Sequence, residues 1–481
     1  MCAQASAKIT MYRLFELGDC FLITFTSGAH SSRMLIDCGS FRNGAVSVSR
    51  LTTIVGKIQT ALGGNALDVV VGTHQHNDHL SGFVHCQNAF NNMNVQQVWL
   101  SWLDDPGDPK ARQIGDDYNN LRLRLAGARD SLHKALKGRT AARPMAARSL
   151  EVLNDMLGFF GAHAVGTPPD LPADAVKFLK TLGAKDPLYL RPGRTLEMPG
   201  LPNGSVRIHV LGPPRIENVE KKDDPLFKKD PSAGESYDAA LASTTQQAAR
   251  FLDALKAGTN KPSSEEEQYP FNQEYKRRRT GGGTALATIQ RYYNRREDSW
   301  RNIDDDWLQQ AGALALWIDD FTNNSSLVLA IELVESGKVL LFAADAQTGN
   351  WRSWDQVKWQ NPAVKTDDLL ARTVFYKVGH HASHNATRVQ TFEKVNHPNL
   401  VAFIPVHKQD PNITKTTNPW KMPATNLFKR LKVKTKFRVL QMDNVNPPEC
   451  NPNKASVKAA WTSAGLKPKV TEFSIEIDVK G

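Results

Sequence analysis

A short apolar strand that runs directly into four metal-ligating side chains constrains this 481-residue chain more than any other feature. Residues 68–72 read Asp-Val-Val-Val-Gly, and such a β-branched run predicts a buried strand. The ligand-type residues that follow are His74, His76, Asp78 and His79. Imidazole and carboxylate groups together suit Zn²⁺, with Mn²⁺ or iron as alternatives. The sequence therefore predicts a metal site at the end of a strand.

The spacing of these residues predicts two cations rather than one. Alternate side chains of an extended segment point the same way, so His74 and His76 can face one cation. A turn after them would let Asp78 and His79 reach a second cation about 3.5–4 Å away. A lone histidine is usually structural, but four ligand-type side chains so close together indicate a site. We expect two divalent ions, with Zn²⁺ as the first candidate and Mn²⁺ as the second.

The segment from His74 to Gly82 resembles the HxHxDHxGG signature of the metallo-β-lactamase superfamily. Upstream, Leu35–Ser40 resembles the family's LIDxG element, whose aspartate, Asp37 here, orients the cluster. Leu341–Ala346 is similar to the strand end that carries the family's metal-bridging carboxylate, and the resemblance makes Asp345 that residue.

Four segments, Leu341–Ala346 among them, resemble one branch of that superfamily, the hydrolase domain of ComEC-type DNA-uptake proteins. Leu17–Ile23 resembles its opening strand, and Asn324–Leu329 resembles its N-x-S-L-V-L strand. Tyr376–Ser383 is similar to its K-V-G-H-H-G-S motif. The resemblance covers roughly residues 9–103 and 324–480 and has no counterpart for the region between them.

The resemblance implies an α/β fold, the four-layer αββα sandwich built from two similar halves, with the metals at one edge. We expect residues 1–103 and 324–481 to form the two halves of this domain. Residues 104–323 are rich in helix-forming residues and in charged, Pro- and Gly-punctuated stretches, so we expect a large helical and loop-rich insert beside the metal edge.

The chain departs from the family pattern at two kinds of position. Ala344 and Ala382 stand where the family has glycines, which predicts a different backbone path there. The third histidine of many members has no clean equivalent, since we interpret His209 and His163 as structural. The resemblance implies that later histidines replace it, and these are His380, His381 and His407. Of the adjacent pair, we expect His381 to be the ligand and His380 to contact the substrate.

The resemblance implies a metal-dependent hydrolase that uses a metal-bound hydroxide. Asp78 would orient that nucleophile, and His380 would stabilise the oxyanion or protonate the leaving group. We expect cleavage of phosphodiester bonds, by a nuclease or a phosphoesterase. Two alternatives stay open: hydrolysis of a small carboxylic ester, lactone or thioester, and a non-catalytic, metal-stabilised interaction module. The fold does not decide among them.

The net charge of +11 favours an anionic substrate, and nucleic acid is one candidate. Basic residues concentrate at 276–296 and 429–438, although such runs are most often solvated faces. The insert offers a surface for a protein partner. Five widely spaced cysteines form no disulfide framework, and no apolar run approaches the roughly 20 residues that span a bilayer. We therefore expect a cytoplasmic protein without membrane contact.

Overall fold

The computed structural model describes residues 4–137, 144–215, 287–288, 291, 315–316, 318–416, 419–443 and 448–481. Within them, two sheets carry the fold, and their strands are numbered here in chain order. The first sheet contains β1 (Ser6–Tyr12), β2 (Cys20–Ser27), β3 (His30–Cys38), β4 (Leu67–Val71), β5 (Val95–Ser101), β6 (Leu188–Leu190), β14 (Lys469–Val470) and β15 (Ser474–Lys480). The second contains β7 (Thr195–Glu197), β8 (Val206–Gly212), β9 (Val328–Leu333), β10 (Lys338–Phe342), β11 (Thr373–Lys377), β12 (Val401–Ile404) and β13 (Val439–Gln441).

The two sheets repeat one pattern of strand pairing. In the first sheet, β1, β2 and β3 are antiparallel neighbours, and β3 to β6 are parallel. In the second, β8, β9 and β10 are antiparallel neighbours, and β10 to β13 are parallel. By this correspondence β3 matches β10, and β4 matches β11. The C-terminal strand β15 returns to pair with β1.

The main core lies between the sheets. Side chains that alternate along each strand meet there, and the Phe21 and Phe342 rings are in edge contact with centroids 5.7 Å apart. Burying a Val, Leu or Phe side chain stabilises a fold by about 1.5–3 kcal/mol. A second core, with Trp351 and Trp354 fully buried in it, covers the outer face of the second sheet. These layers confirm the expected αββα sandwich.

Helices cover the outer faces of both sheets. Ala45–Leu62 turns Leu51, Val55 and Ile58 toward the first sheet at helical spacing, and it ends at Gly63, whose φ is +56°. The other helices are Asn77–His85, Gln87–Asn91, Pro109–Leu136, Pro144–Gly158, Leu171–Leu182, residues 318–324, Thr348–Ser353, Thr366–Ala371, Val389–Glu393, Pro411–Thr414, Thr425–Lys434 and Ala455–Ser463. Single 3₁₀ turns lie at Trp102–Asp104, Trp354–Gln356, Gly379–Ala382 and Pro448–Cys450.

The region expected to be an insert contributes to both sheets and also has a core of its own. Strands β6, β7 and β8 lie within residues 104–323 and pair with sheet neighbours. The helices Pro109–Leu136 and Pro144–Gly158 of this region pack with Ile318 and Phe321 around Leu125 and Leu157. The domain boundaries at 103 and 323 stay a prediction.

The described cysteines and helices concern the expectations about disulfides and about the membrane. Cys20, Cys38, Cys86 and Cys450 are buried and free. In the described part of the chain, no helix has both the length and the apolar character that crossing a membrane requires.

Candidate metal centre

Four loops at one edge of the sandwich bring the candidate ligands together. Asp37 is the penultimate residue of β3, and the histidine cluster follows β4. Asp345 follows β10, and the His380–His381 pair follows β11. Because β3 and β4 are parallel, as are β10 and β11, the carboxyl ends of each pair lie at the same edge of their sheet. The topology thereby gathers residues that are up to 344 positions apart, such as Asp37 and His381.

The first group of ligand atoms consists of two ring nitrogens. Nε2 of His74 lies 3.2 Å from Nδ1 of His76. Nδ1 of His74 lies 3.0 Å from the Thr73 hydroxyl, which itself donates to Asp37. That hydroxyl therefore accepts the Nδ1 proton of His74, and the Nε2 lone pair is left for a cation. His74 and His76 present their nitrogens to a common point.

The second group comprises Asp78, His79, Asp345 and His381, whose ligand atoms all lie within 4.8 Å of one another. Oδ2 of Asp345 stands between two imidazoles, 3.2 Å from Nε2 of His79 and 3.3 Å from Nε2 of His381. Oδ2 of Asp78 lies 2.8 Å from Nε2 of His381. The rings of His74 and His79 lie 4.2 Å apart, so the two groups are adjacent.

Oxygen acceptors behind the imidazoles fix which nitrogen each one presents. Nδ1 of His79 donates to Oδ2 of Asp37 over 2.7 Å, as the resemblance implied for that aspartate. Nδ1 of His381 donates to the carbonyl oxygen of Pro405 over 2.8 Å. Both rings are thus held with Nε2 toward Asp345, an arrangement typical of histidines that bind metals.

Asp19 and Lys377 complete the buried charge of the centre, and neither was predicted. The Lys377 ammonium forms an ion pair with Asp19 and donates to Oδ1 of Asp345 over 3.1 Å. Asp19 lies in the segment Leu17–Ile23 and Lys377 in Tyr376–Ser383, each at or next to a strand end. A charged residue beside an apolar strand could have indicated their role, because a buried charge needs a partner of opposite charge.

Burial and neighbouring charges shift the pKa values of the cluster in opposite directions. Burial alone would lower the pKa of His381, but Asp345, Asp78 and Asp19 raise it to about 10. Burial would likewise lower the pKa of His79, yet the carboxylates around it raise it well above its usual value. Excess negative charge therefore surrounds these two rings, and a cation would satisfy it.

Burial governs the other two histidines of the cluster. It lowers the pKa of His76 to about 3 and that of His74 well below its usual range. Both rings are thus neutral at pH 7, which is the form that binds metals.

The side chains present fit divalent metal binding. The buried atoms of the centre that make no hydrogen bond among the described residues include Nε2 of His79 and Oδ1 of Asp78. In the described part of the centre, four buried carboxylates, those of Asp19, Asp37, Asp78 and Asp345, face one buried lysine, Lys377. With the imidazoles in the neutral form that binds metals, this leaves an excess of negative charge that cations would balance.

The two adjacent histidines point in different directions because of their backbone. His380 and His381 have φ values of +44° and +49°, and Ala382 follows at +61°. His381 enters the cluster, whereas His380 contacts Asn323, Ser383 and Asn385. Burial lowers the pKa of His380 to about 4, so its ring is neutral at pH 7.

The expected change of backbone path at the two alanines stays a prediction. Ala344 and Ala382 have φ values of +46° and +61°, in the left-handed region that glycine favours. Both alanines therefore have a backbone conformation that glycine adopts more readily than alanine does.

Of the predicted ligands, His407 lies apart from both groups. Its Nδ1 faces Oδ2 of Asp443 at 3.7 Å, and its ring contacts Phe15. His209 in β8 bonds Glu332 and Thr195, in keeping with the structural role expected for it.

The two basic runs differ in what the structure describes. Lys276–Arg279, Arg295 and Arg296 lie outside the described residues. In the run at 429–438, Arg430 and Lys434 pair with Glu393, and Lys432 pairs with Glu449. Arg438 is buried and donates to backbone carbonyls. Much of the charge of this second run is therefore neutralised.

A family model for the metallo-beta-lactamase superfamily matches residues 14–97. A search of curated proteins finds no match to the chain. The matched segment contains Asp19, Asp37 and the cluster from His74 to His79. Asp345 and His381 lie beyond it and join these residues through the geometry of the second sheet.

Proposed function

We propose that this protein is a metal-dependent hydrolase whose centre holds two divalent cations, with zinc as the first candidate. The observation that carries the proposal is the placement of Asp345. Its Oδ2 is shared between His79 and His381, beside the paired nitrogens of His74 and His76. A metallo-beta-lactamase superfamily match over the first half of this constellation supports the same activity.

The residues of the centre would have different roles in the reaction. His74 and His76 would hold one cation, Asp78, His79 and His381 the other, and Asp345 would bridge them. Such cations supply Lewis-acid polarisation of the bond to be cleaved and lower the pKa of the attacking water. Oδ1 of Asp78 makes no hydrogen bond among the described residues, so it is placed to accept one from that water and orient it.

His380 completes the proposed machinery as a hydrogen-bond donor. Its neutral ring lies next to His381 and would donate to the charge that develops on the substrate or on the leaving group. Oδ1 of Asp345 also accepts from the backbone N–H of His380 over 3.0 Å, which fixes the position of this residue relative to the bridging carboxylate.

We propose a phosphodiester as the substrate. The net charge of +11 favours an anionic substrate, and the segment Tyr376–Ser383 is similar to the corresponding motif of ComEC-type hydrolase domains. The same centre would also serve a small carboxylic ester, lactone or thioester, so the substrate class needs a direct assay.

The experiment combines metal analysis with a substrate panel. Purified protein is expected to carry one to two equivalents of a transition metal, and the double variant His74→Ala, His76→Ala is expected to lose much of it. His30→Ala, at an exposed position, is the control. Activity is measured on DNA, RNA, bis-p-nitrophenyl phosphate and p-nitrophenyl acetate. Turnover of the acetate alone would overturn the phosphodiester assignment, and full metal retention in the double variant would overturn the ligand assignment.

Asp345→Ala provides the matching test of the bridging carboxylate. It is expected to abolish turnover on every substrate of the panel with the circular-dichroism spectrum retained, because bridging and nucleophile activation depend on one another. An active Asp345→Ala protein would place the bridge elsewhere.

Nucleic acid is the partner we propose for the basic segment that includes Lys276–Arg279. If these residues bind phosphates, affinity for duplex DNA should fall with salt at a slope near −0.9 per phosphate neutralised. Neutralising all four should flatten that slope and spare cleavage of bis-p-nitrophenyl phosphate. Equal loss on both substrates would assign the segment a structural role.

A further inference from the structure

A helix turn that precedes β9 lies against two histidines of the centre at once. Asp319 and Asn323 are four residues apart in the helical residues 318–324, so their side chains share one face. Nδ2 of Asn323 donates to Oδ2 of Asp319 over 3.1 Å and lies 3.4 Å from Nε2 of His380. Both residues are buried, with Asn323 fully enclosed.

The other oxygen of Asp319 faces His76. Oδ1 of Asp319 lies 3.6 Å from Nε2 of His76, a few tenths of an ångström beyond a hydrogen bond. Nε2 of His76 is itself buried and makes no hydrogen bond among the described residues. The Asp319 carboxylate is thus directed at a nitrogen that needs an acceptor.

We propose that Asp319 is the positioning residue for His76. Its carboxylate accepts the Nε2 proton of His76 and so fixes the tautomer whose Nδ1 carries a lone pair. That lone pair points to the space shared with Nε2 of His74, 3.2 Å away, where a cation would bind. A carboxylate behind a metal-binding imidazole both orients the ring and makes it a stronger donor.

The arrangement is independent of the ones that hold the other histidines. Asp37 positions His79, and the carbonyl of Pro405 positions His381, from β3 and from the segment after β12. Asp319 comes instead from the helical region that packs against Pro109–Leu136 and Pro144–Gly158. Through this contact, the position of the helical region determines the affinity of one cation site.

The inference rests on the proposed metal centre, and the test separates the two. Zn²⁺ and Co²⁺ affinities are measured by competition with a chromogenic chelator for wild type, Asp319→Asn, Asp319→Glu and Asp320→Asn. Asp320 follows in the same helix and lies 3.5 Å from Nδ2 of Asn385, so its variant removes an equal charge beside a different partner. The Co²⁺ absorption spectrum reports ligand geometry without reference to activity.

Asp319→Asn is expected to weaken one of two bound cations by about 10- to 100-fold and to alter the Co²⁺ spectrum. Asp319→Glu should recover part of the affinity, and Asp320→Asn should bind as wild type does. Wild-type affinity and spectrum in Asp319→Asn would overturn the positioning role and leave the metal centre standing. An equal loss of metal affinity in Asp319→Asn and Asp320→Asn would also overturn it, since the loss would then follow from removing any negative charge from this helix. A wild-type protein that binds neither metal would remove the proposed function and this inference with it.

Discussion

Ala382 combines a buried methyl group with a backbone conformation that L-residues adopt at a cost of about 1–2 kcal/mol. Removing the methyl group relieves that cost. Ala382→Gly is therefore expected to leave the free energy of unfolding unchanged or to raise it by up to about 1 kcal/mol. Ala402→Gly, at a buried position in β12, should lower it by about 1 kcal/mol. Urea unfolding of both variants checks the contrast, and a large loss in Ala382→Gly would show that the methyl contact outweighs the strain.

Lys377 holds two carboxylates together at a position without solvent. Removing one partner of a buried ion pair costs about 3–5 kcal/mol, because the remaining charge is left uncompensated. Lys377→Met is expected to lower the free energy of unfolding of chelator-treated protein by that amount. Adding Asp19→Asn should restore part of the loss. A double variant whose losses simply add would show that Lys377 and Asp19 are not coupled.

The helix Asn77–His85 packs closely against Gly39, the residue that follows β3. A Cβ placed on Gly39 would lie 2.4 Å from the backbone carbonyl carbon of His79 and 2.6 Å from that of Asp78. The first turn of this helix carries two candidate ligands, so Gly39 sets where they stand.

Gly39→Ala is expected to push this helix outward, lower the free energy of unfolding by about 1–3 kcal/mol and weaken metal binding. Gly56→Ala is the control, since its Cβ would meet nothing within 4 Å in the middle of the helix Ala45–Leu62. That variant should gain up to about 1 kcal/mol. Thermal unfolding and metal titration measure both effects, and intact metal affinity in Gly39→Ala would contradict this account.

Across the whole molecule, the Arg42–Asp410 ion pair joins the loop after β3 to the segment after β12. The two terminal guanidinium nitrogens of Arg42 donate to the carboxylate of Asp410, over 2.7 and 2.8 Å, and Asp410 is buried. Burial would raise the pKa of Asp410, but the hydrogen bonds and charge of Arg42 lower it below its ordinary value of 3.8. The ionised carboxylate therefore stabilises the fold above pH 3.8, and this contribution is lost as pH falls below that value.

Asp410→Asn is expected to lower the free energy of unfolding by about 2 kcal/mol at pH 7. Because the wild type loses the same contribution in acid, the difference between the two proteins should shrink between pH 4 and pH 3. Urea unfolding at several pH values measures it. A difference that stays constant over this range would mean that Asp410 acts through packing and not through its charge.

The family resemblance predicted the sandwich, and residues adjacent in the chain predicted one half of the centre. The run before His74 is apolar and β-branched, and the ligands after it are adjacent in the chain. The strands that carry Asp345 and His381 were recognisable for the same reason. Short strands such as β13 have too few residues for a periodic signal.

Contacts between distant segments could not be predicted in the same way. Asp319 and His76 are 243 positions apart, and no local pattern marks an aspartate that faces an imidazole. The ligand role expected for His407 stays a prediction: the chain after β12 turns its ring toward Phe15 and Asp443, and the Pro405 carbonyl accepts from His381. Backbone direction after a strand decides such outcomes, and it depends on tertiary packing.

The matched strand order of the two sheets places the ligands at equivalent points. Asp37 lies at the end of the third strand of one series and the His74 cluster follows the fourth, whereas Asp345 and His381 follow the third and fourth strands of the other. The same geometry means that a chain cleaved between β6 and β7 would leave each fragment with an incomplete ligand set. Because β15 pairs with β1, the two fragments are expected to reassociate. Recovery of metal binding would then measure their reassociation.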